Sequence, residues 1–244
     1  MNVYSNDFFV GFIINFFLIY LFRKIPIMTK AGWINAGILG TILWGCLNWQ
    51  GWIGVVLYLL FGSIVTKLGY KYKNKIGIAE RRGGRRGPEN VWGSASTGLF
   101  IAVLIKLNIA NESLLAVGFA ASFAAKLADT FGSEIGKTYG KNTFLITNFK
   151  KVKKGTEGAI SLEGTLASLV GSILMASIMF FLGVIKIEKQ LIIVSISGFI
   201  ATIIESFIGA KFQDRFKLSN EIVNTIQTSI ASVIAIFLYK LFFY

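Results

Sequence analysis

Two segments carry residue types that could handle phosphate. The first runs Asp129-Thr-Phe-Gly132-Ser133-Glu134-Ile-Gly136-Lys137-Thr-Tyr-Gly140-Lys141. The second runs Lys153-Lys154-Gly155-Thr156-Glu157-Gly158-Ala-Ile-Ser161-Leu-Glu163-Gly164-Thr165. On a helix, Asp129, Ser133 and Lys137 share a stripe at i, i+4, i+8. Gly132, Gly136 and Gly140 form a second stripe beside it, which lets another backbone come close. Helix packing alone would explain the glycines but not the charged stripe. In the second segment, two lysines and flanking glycines at the start of an apolar helix make an anion site. Glu157 and Glu163 bring carboxylates there, and Asp129 arrives at the end of its own apolar run. Carboxylates beside phosphate-binding cations suggest Mg²⁺ bridging phosphate oxygens. Gly132–Thr138 is one residue short of a P-loop and follows an apolar helix rather than a strand, so a P-loop ATPase is excluded.

A third segment reads Glu80-Arg81-Arg82-Gly83-Gly84-Arg85-Arg86-Gly87-Pro88-Glu89-Asn90. Arginine forks bind phosphate bidentately, and glycine lets backbone N–H groups approach the oxygens. The alternative is a polybasic patch on anionic lipid headgroups; arginine with glycine, rather than a lysine run, favours a specific phosphate. Further along, Thr202, Glu205, Gly209 and Gln213 share roughly one helix face, as do Asn220, Asn224 and Gln227 or Thr228. Polar stripes of this kind can also be interhelical glue. Asp214 reads as ordinary loop charge. The chain has no His and one Cys, Cys46. That removes His-based triads, His general bases, most zinc sites and any internal disulfide.

The elements that must position these segments follow from composition. The 244 residues are 54% hydrophobic and 15% charged, with a net charge of +13, and the mean hydropathy is +0.65. Disorder is excluded by the hydrophobicity, and a soluble domain could not hide that much apolar surface. A nucleic-acid binder would explain the charge but not the oil. A polytopic membrane helix bundle, all-α, explains both, provided the cations are confined to certain loops.

Eight apolar stretches are legible: roughly 8–22, 33–49, 52–66, 91–107, 113–128, 162–185, 191–210 and 222–241. The first three are short for a span of about 20 residues. The second and third, joined only by Gln50 and Gly51, could form a re-entrant hairpin, which leaves six spans as the alternative to eight. The connections after the first, third, fifth and seventh stretches, with their flanks, hold 21 of the 25 Lys and Arg. This positive-inside signal places those loops in the cytosol and both termini outside. The first stretch is followed by Arg23 and Lys24 rather than preceded by a basic region, which is the pattern of an anchor and not of a cleaved signal. The expectation is one integral membrane domain in the cell membrane. Residues 1–66 anchor it, 67–220 present cytosol-facing catalytic loops and spans, and 221–244 form the last span.

The Asp129–Gly140 block, the Lys153–Gly158 block and Ser161–Thr165 resemble the transmembrane protein 19 family, which includes a plant phytyl-phosphate kinase. The resemblance extends to Arg81–Arg86, Ile146–Lys150 and Glu205–Gln213, and covers most of the chain from about residue 67. The pattern Asp129…Gly136…Gly140…Lys153-Lys154-x-x-Glu157-Gly158 is more distantly similar to the CTP-binding pattern of dolichol and polyprenol kinases. Here the interval is longer and a Pro-Gly-Thr before the two lysines is absent.

The resemblance implies transfer of a phosphoryl group from a nucleoside triphosphate, CTP by preference, with Mg²⁺, to a phytyl- or geranylgeranyl-type monophosphate. Asp129, Glu157, Glu163 and Lys154 would then be catalytic. Ser133, Gly136, Lys137, Lys153, Gly155, Thr156 and Gly158 would hold the nucleotide. Arg81, Arg82, Arg85, Arg86 and Asn90 would hold the lipid phosphate, and Asp129, Glu134, Glu157 and Glu205 the metal. The implied partners are these two substrates and membrane lipids, with no nucleic acid; self-association into a homo-oligomer is left open. Two other readings share the residues. One is a cytidylyltransferase releasing pyrophosphate. The other is a non-enzymatic lipid-phosphate transporter or scramblase, which would need polar groups through the bilayer rather than at one face.

Overall fold

The computed structural model describes residues 3–243. Its helices are α1 (Val3–Phe22), α2 (Lys30–Lys67), α3 (Tyr70–Lys75), α4 (Pro88–Lys106), α5 (Glu112–Tyr139), α6 (Leu162–Phe181), α7 (Glu188–Ile208) and α8 (Asn220–Phe243). α7 runs on into a π-helical turn at Gly209–Gln213. The strands among the described residues are β1 (Phe144–Leu145) and β2 (Ala159–Ile160), an antiparallel pair pinning the α5–α6 loop. Helix starts are capped as their sequences require. Thr29 Oγ1 accepts from Gly32 N, Asn111 Oδ1 from Leu114 N and Ser161 Oγ from Gly164 N; each satisfies an N–H that has no intrahelical partner. Pro88 opens α4, where its missing N–H costs nothing.

Among the described residues, five helices are long and apolar enough to cross a membrane: α2, α5, α6, α7 with its π turn, and α8. α2 is broken at Asn48, which adopts φ 54° and ψ −161°, a backbone state that a non-glycine residue pays to enter. The break reverses the chain. Thr29 N, before the first leg, donates to Arg86 O, while the Arg86 guanidinium donates to Tyr58 Oη and lies beside Gly62 on the second leg. The hairpin expected from the short apolar stretches therefore exists, but it turns at Asn48 and not at Gln50–Gly51. α1 runs antiparallel along the first leg, with Phe8 against Gly45, Gly11 against Trp44 and Ile19 against Gly37. Trp52 Nε1 donates across to Asn15 Oδ1.

α5 is the axis of the bundle. It packs against α2, α4, α6, α7 and α8, and every residue from Leu114 to Ala128 is buried. Its alanines and glycines allow that many neighbours, because small side chains bring helix axes together and increase dispersion contact. The glycine stripe expected to admit another backbone admits α6. A Cβ on Gly132 would strike Ser168 Oγ, and Gly136 and Gly164 face each other. Hydroxyls and amides tie other helices to α5. Thr202 Oγ1 and Gln227 Nε2 both donate to Ala125 O, at 3.3 and 3.1 Å, and Ser232 Oγ donates to Gly118 O at 2.8 Å. Thr202 and Gln227 thus serve as interhelical glue.

This packing gathers the connections α1–α2, α2–α4, α5–α6 and α7–α8 at one end of the bundle. Met28 bridges Arg86, and residues of the other three connections line one cavity. At the opposite end Lys106 pairs with Asp7 at 3.5 Å.

Candidate functional site

The cavity at the gathered end has a volume of about 830 Å³, a size that holds small-molecule ligands. One wall is the end of α5, which presents Lys126, Asp129, Ser133, Glu134, Gly136 and Lys137. Glu80, Arg81, Arg82, Gly84, Arg85, Arg86, Glu89 and Asn90 also line the cavity. Lys154 to Ser161 form a third side, and Glu205, Gln213, Glu221 and Asn224 close the fourth.

The arginine segment is shaped by three consecutive residues in left-handed conformation: Arg82 (φ 55°), Gly83 (φ 70°) and Gly84 (φ 76°). Glycine adopts this state freely; Arg82 does so at a cost. The turn is held by an Arg82–Glu89 ion pair, by Arg85 Nε donating to Arg82 O at 3.0 Å and by Lys67 Nζ donating to Gly83 O at 2.6 Å. Arg86 is half-buried and braced on Tyr58, with 2.8 Å from Nη1 to the phenol oxygen and 5.4 Å from Cζ to the ring centre. A cation so oriented is pre-organised for an incoming anion.

On α5, Lys126 pairs with Asp129 one turn on, and also donates to Asn224 Oδ1 of α8 at 2.8 Å. The lysine is 7% exposed and the aspartate 18%. A cation buried at that depth needs a partner to persist. Glu205 stands within electrostatic reach of Lys126, Asp129 and Glu157. Glu134 is buried and occupied: Lys73 of α3 forms an ion pair with it, and Lys137 lies at 3.7 Å. Lys137 also reaches Glu80 at 3.6 Å, so α5 is linked electrostatically to the arginine segment.

Gly158 (φ +69°) is pressed against Ser206 and Ala210, and a Cβ there would overlap both. This docks the Lys153–Gly158 loop on the end of α7. Lys154 Nζ sits 5.5 Å over the Tyr72 ring. Burial beneath the surrounding walls pushes the Glu157 carboxyl above its ordinary range; Lys137 opposes this, while Asp129, Asp214 and Glu80 reinforce it. The side chain itself is open to cavity water, which screens the effect.

The structure thus gathers Asp129, Ser133, Glu134, Gly136, Lys137, Lys154, Gly155, Thr156, Glu157, Gly158, Glu205, Arg81, Arg82, Arg85, Arg86 and Asn90 around one cavity. It leaves two sequence candidates outside. Glu163 accepts from Lys141 N at 3.2 Å; at the first turn of α6 it closes the α5–α6 loop and does not face the cavity. Lys153 is exposed, and its carbonyl caps Thr156. Several residues that line the cavity or brace those that do carried no motif. Lys126, Lys73 and Glu80 counted only as charges. Lys126 did have a signal, a cation inside the last turn of the apolar run 113–128. Tyr58 had none, because only the fold brings it to Arg86.

As for a divalent cation, no three carboxylates among the described residues stand close enough together to cage one. Asp129, Glu157 and Glu205 do share the cavity. Mg²⁺ characteristically takes one or two carboxylates and completes its shell with water and substrate phosphate, so this donor set fits a phosphate-bridging Mg²⁺ and does not fit a dedicated metal cage. Glu134 is already engaged by Lys73 and Lys137.

Fold and site define a polytopic helical membrane protein with a charged cavity at one end of its bundle. Residues 13–233 match the family described as "Integral membrane protein DUF92", and the chain belongs to that family. It is 46% identical over 228 residues to "Uncharacterized membrane protein sll0875" of Synechocystis sp., covering 92% of this chain and 88% of that one. It is 44% identical over 215 residues to "Protein VTE6, chloroplastic" of Arabidopsis thaliana, covering 86% of this chain and 64% of the plant protein. An archaeal relative, "Uncharacterized membrane protein MJ0933" of Methanocaldococcus jannaschii, is 30% identical over 232 residues, or 95% and 94% of the two chains. No solved structure matches.

Proposed function

We propose that the chain is an isoprenoid monophosphate kinase that makes the diphosphate from a nucleoside triphosphate, with CTP as the donor. The cavity carries this reading. Its lining includes Arg85, Arg86, Lys137 and Lys154 together with Asp129, Glu157 and Glu205. Kinship with the plant protein, in a family linked to phytyl-phosphate kinase, supports the same class of substrate.

In the proposed reaction a phosphate oxygen of the prenyl monophosphate attacks the γ-phosphorus of the nucleotide. The bond from that phosphorus to the β-bridging oxygen breaks, and the nucleoside diphosphate leaves with the electron pair. The acceptor is already ionised, so no proton need move and no histidine is required. Such a transfer depends mainly on positioning and charge neutralisation. Arg85 and Arg86 hold the acceptor phosphate, with Arg81, Arg82 and Asn90 at the rim. Lys137 and Lys154 hold the triphosphate, with Gly155 to Gly158 supplying backbone N–H groups. Lys126 fixes the Asp129 carboxylate. Asp129, with Glu157 or Glu205, would hold Mg²⁺, which would supply charge neutralisation for the phosphates. Eight crossings with the cavity open to the cytoplasmic face of the cell membrane complete the reading.

The test is purified protein with Mg²⁺, a panel of CTP, ATP, GTP and UTP, and phytyl or geranylgeranyl monophosphate, with lipid products read by mass. A prenyl diphosphate is expected, most rapidly with CTP. A CMP-lipid would instead establish cytidylyl transfer, and an unchanged acceptor with every nucleotide would end the kinase reading.

A further inference from the structure

The cavity does not stop at the charged ring. It continues along α6 and α7, where Thr165 and Ser168 of α6 and Phe199 and Ile203 of α7 line it. Lower down the helices close: Ser172 Oγ donates to Ser195 O at 2.8 Å, and Gly198 rests on Ser172 and Ala124. Above, Gly158 is seated on Ser206 and Ala210, and β2 leads from it into α6. Between this contact below and the loop above, side chains of both helices line the cavity. Ile203 lines the cavity and is also 41% exposed on the outer face of the bundle. Leu169, on the same flank of α6, is 38% exposed. In a membrane protein that outer face meets lipid tails. A gap between these flanks would be a lateral window from the charged cavity into the bilayer.

Resting on the proposed reading of the site, we infer that the isoprenoid chain of the phosphate acceptor lies in this α6–α7 window, with its phosphate in the cavity and its tail toward lipid. Two physical features select this occupant. An amphiphile must have its phosphate among the arginines and lysines and its hydrocarbon in an apolar surround, and the window joins the two without burying the tail in protein. Phe199 lies six residues below Glu205, about 9 Å along the helix; that is the length of roughly two isoprene units, at which the tail passes between Phe199 and Ile203. The groove on α8 lined by Thr225, Ile226, Ser229, Ile230, Val233 and Ile234 is apolar but separate from the charged cavity, and serves as the control surface.

A geranylgeranyl monophosphate carrying a photoreactive diazirine on its second isoprene unit tests this without nucleotide or turnover. Labelling of peptides containing Thr165–Leu169 and Phe199–Ile203, competed by unlabelled geranylgeranyl monophosphate but not by geranylgeraniol, is the expected result. Ile203→Trp, and independently Thr165→Trp from the opposite wall, should each cut that labelling at least fivefold; Val233→Trp should not. Competed labelling on the α8 groove, or labelling indifferent to both window variants, would overturn the assignment. Because the readout is binding, a competed label in the window stands even if no diphosphate is formed, whereas diphosphate formation with the label elsewhere refutes the window and spares the kinase.

Discussion

The two ends of the bundle are built from the same kinds of helices and treat charge in opposite ways. At the cavity end, ionic groups are taken out of water. Lys73 and Glu134 are 0% and 2% exposed, and Lys126 and Asp129 are 7% and 18% exposed. At the far end, the Lys106–Asp7 pair is 21% and 35% exposed, and the start of α7 is completed by a neutral amide, Gln190 Oε1 accepting from Lys186 N and Ile187 N. Burial of ions costs several kcal/mol per charge before pairing. A protein that accepted this cost at only one end has a use for charges held in fixed positions there, whereas the far end needs only water-facing caps.

The contrast can be broken most sharply at Asp129. Asp129→Asn keeps the shape but leaves Lys126 buried without its counter-charge. The expected loss of prenyl diphosphate formation is about a thousandfold, roughly 4 kcal/mol of transition-state stabilisation, read in the lipid mass assay. If turnover stays within tenfold, Asp129 is not in the machinery.

Next comes Lys73→Met. It leaves Glu134, at the packing interface between α3 and α5, with only the longer contact to Lys137, and breaking a buried pair from one side costs up to about 3–5 kcal/mol. A large fall in melting temperature in detergent is expected. The double variant Lys73→Met with Glu134→Leu should recover much of it, since an apolar pair carries no desolvation cost. A double variant as unstable as the single one would show that the ion pair was not the source.

A pH profile sharpens the comparison at Glu157. Its carboxyl titrates above the ordinary range, so the charged form is lost as pH falls at a higher pH than for a free glutamate. The acid limb of kcat/KM should lie above the usual carboxylate range. The sign for stability is opposite: the folded state binds this proton more tightly than the unfolded chain, so charged Glu157 disfavours the fold above its folded pKa. Asp214→Asn removes a nearby negative charge and should move the acid limb down by a few tenths of a pH unit. An upward movement would contradict the electrostatic account.

The smallest effect is expected at the far end. Lys106→Met should change stability by less than about 1 kcal/mol, as partly exposed pairs do, and leave turnover within twofold. A loss approaching that of Asp129→Asn would erase the distinction between the ends.

Much of this was legible before folding. Apolar runs announced the helices, because a membrane-sized helix needs only local composition. Gly132, Gly136 and Gly140 announced a close neighbour, because no larger side chain permits one; they could not say that the neighbour was α6. Arg81–Arg86 and Lys154–Gly158 announced anion chemistry by type and spacing. Glu163 was misplaced because a carboxylate in a first helical turn looks the same in sequence whether it binds a ligand or, as here, accepts from Lys141 N. Glu134 looked like a metal ligand beside Asp129 until the fold brought Lys73 to it.

By itself, then, the sequence determined the class of molecule, the sorting of cations among its connections and the segments able to meet phosphate, since hydropathy, charge and helical spacing are properties of neighbouring residues. Only the tertiary structure decided which charges neutralise each other, where α2 folds back and which segments line the cavity together. Those outcomes depend on which faces of distant segments dock on α5, and that is set by close packing of small residues whose partners lie far along the chain.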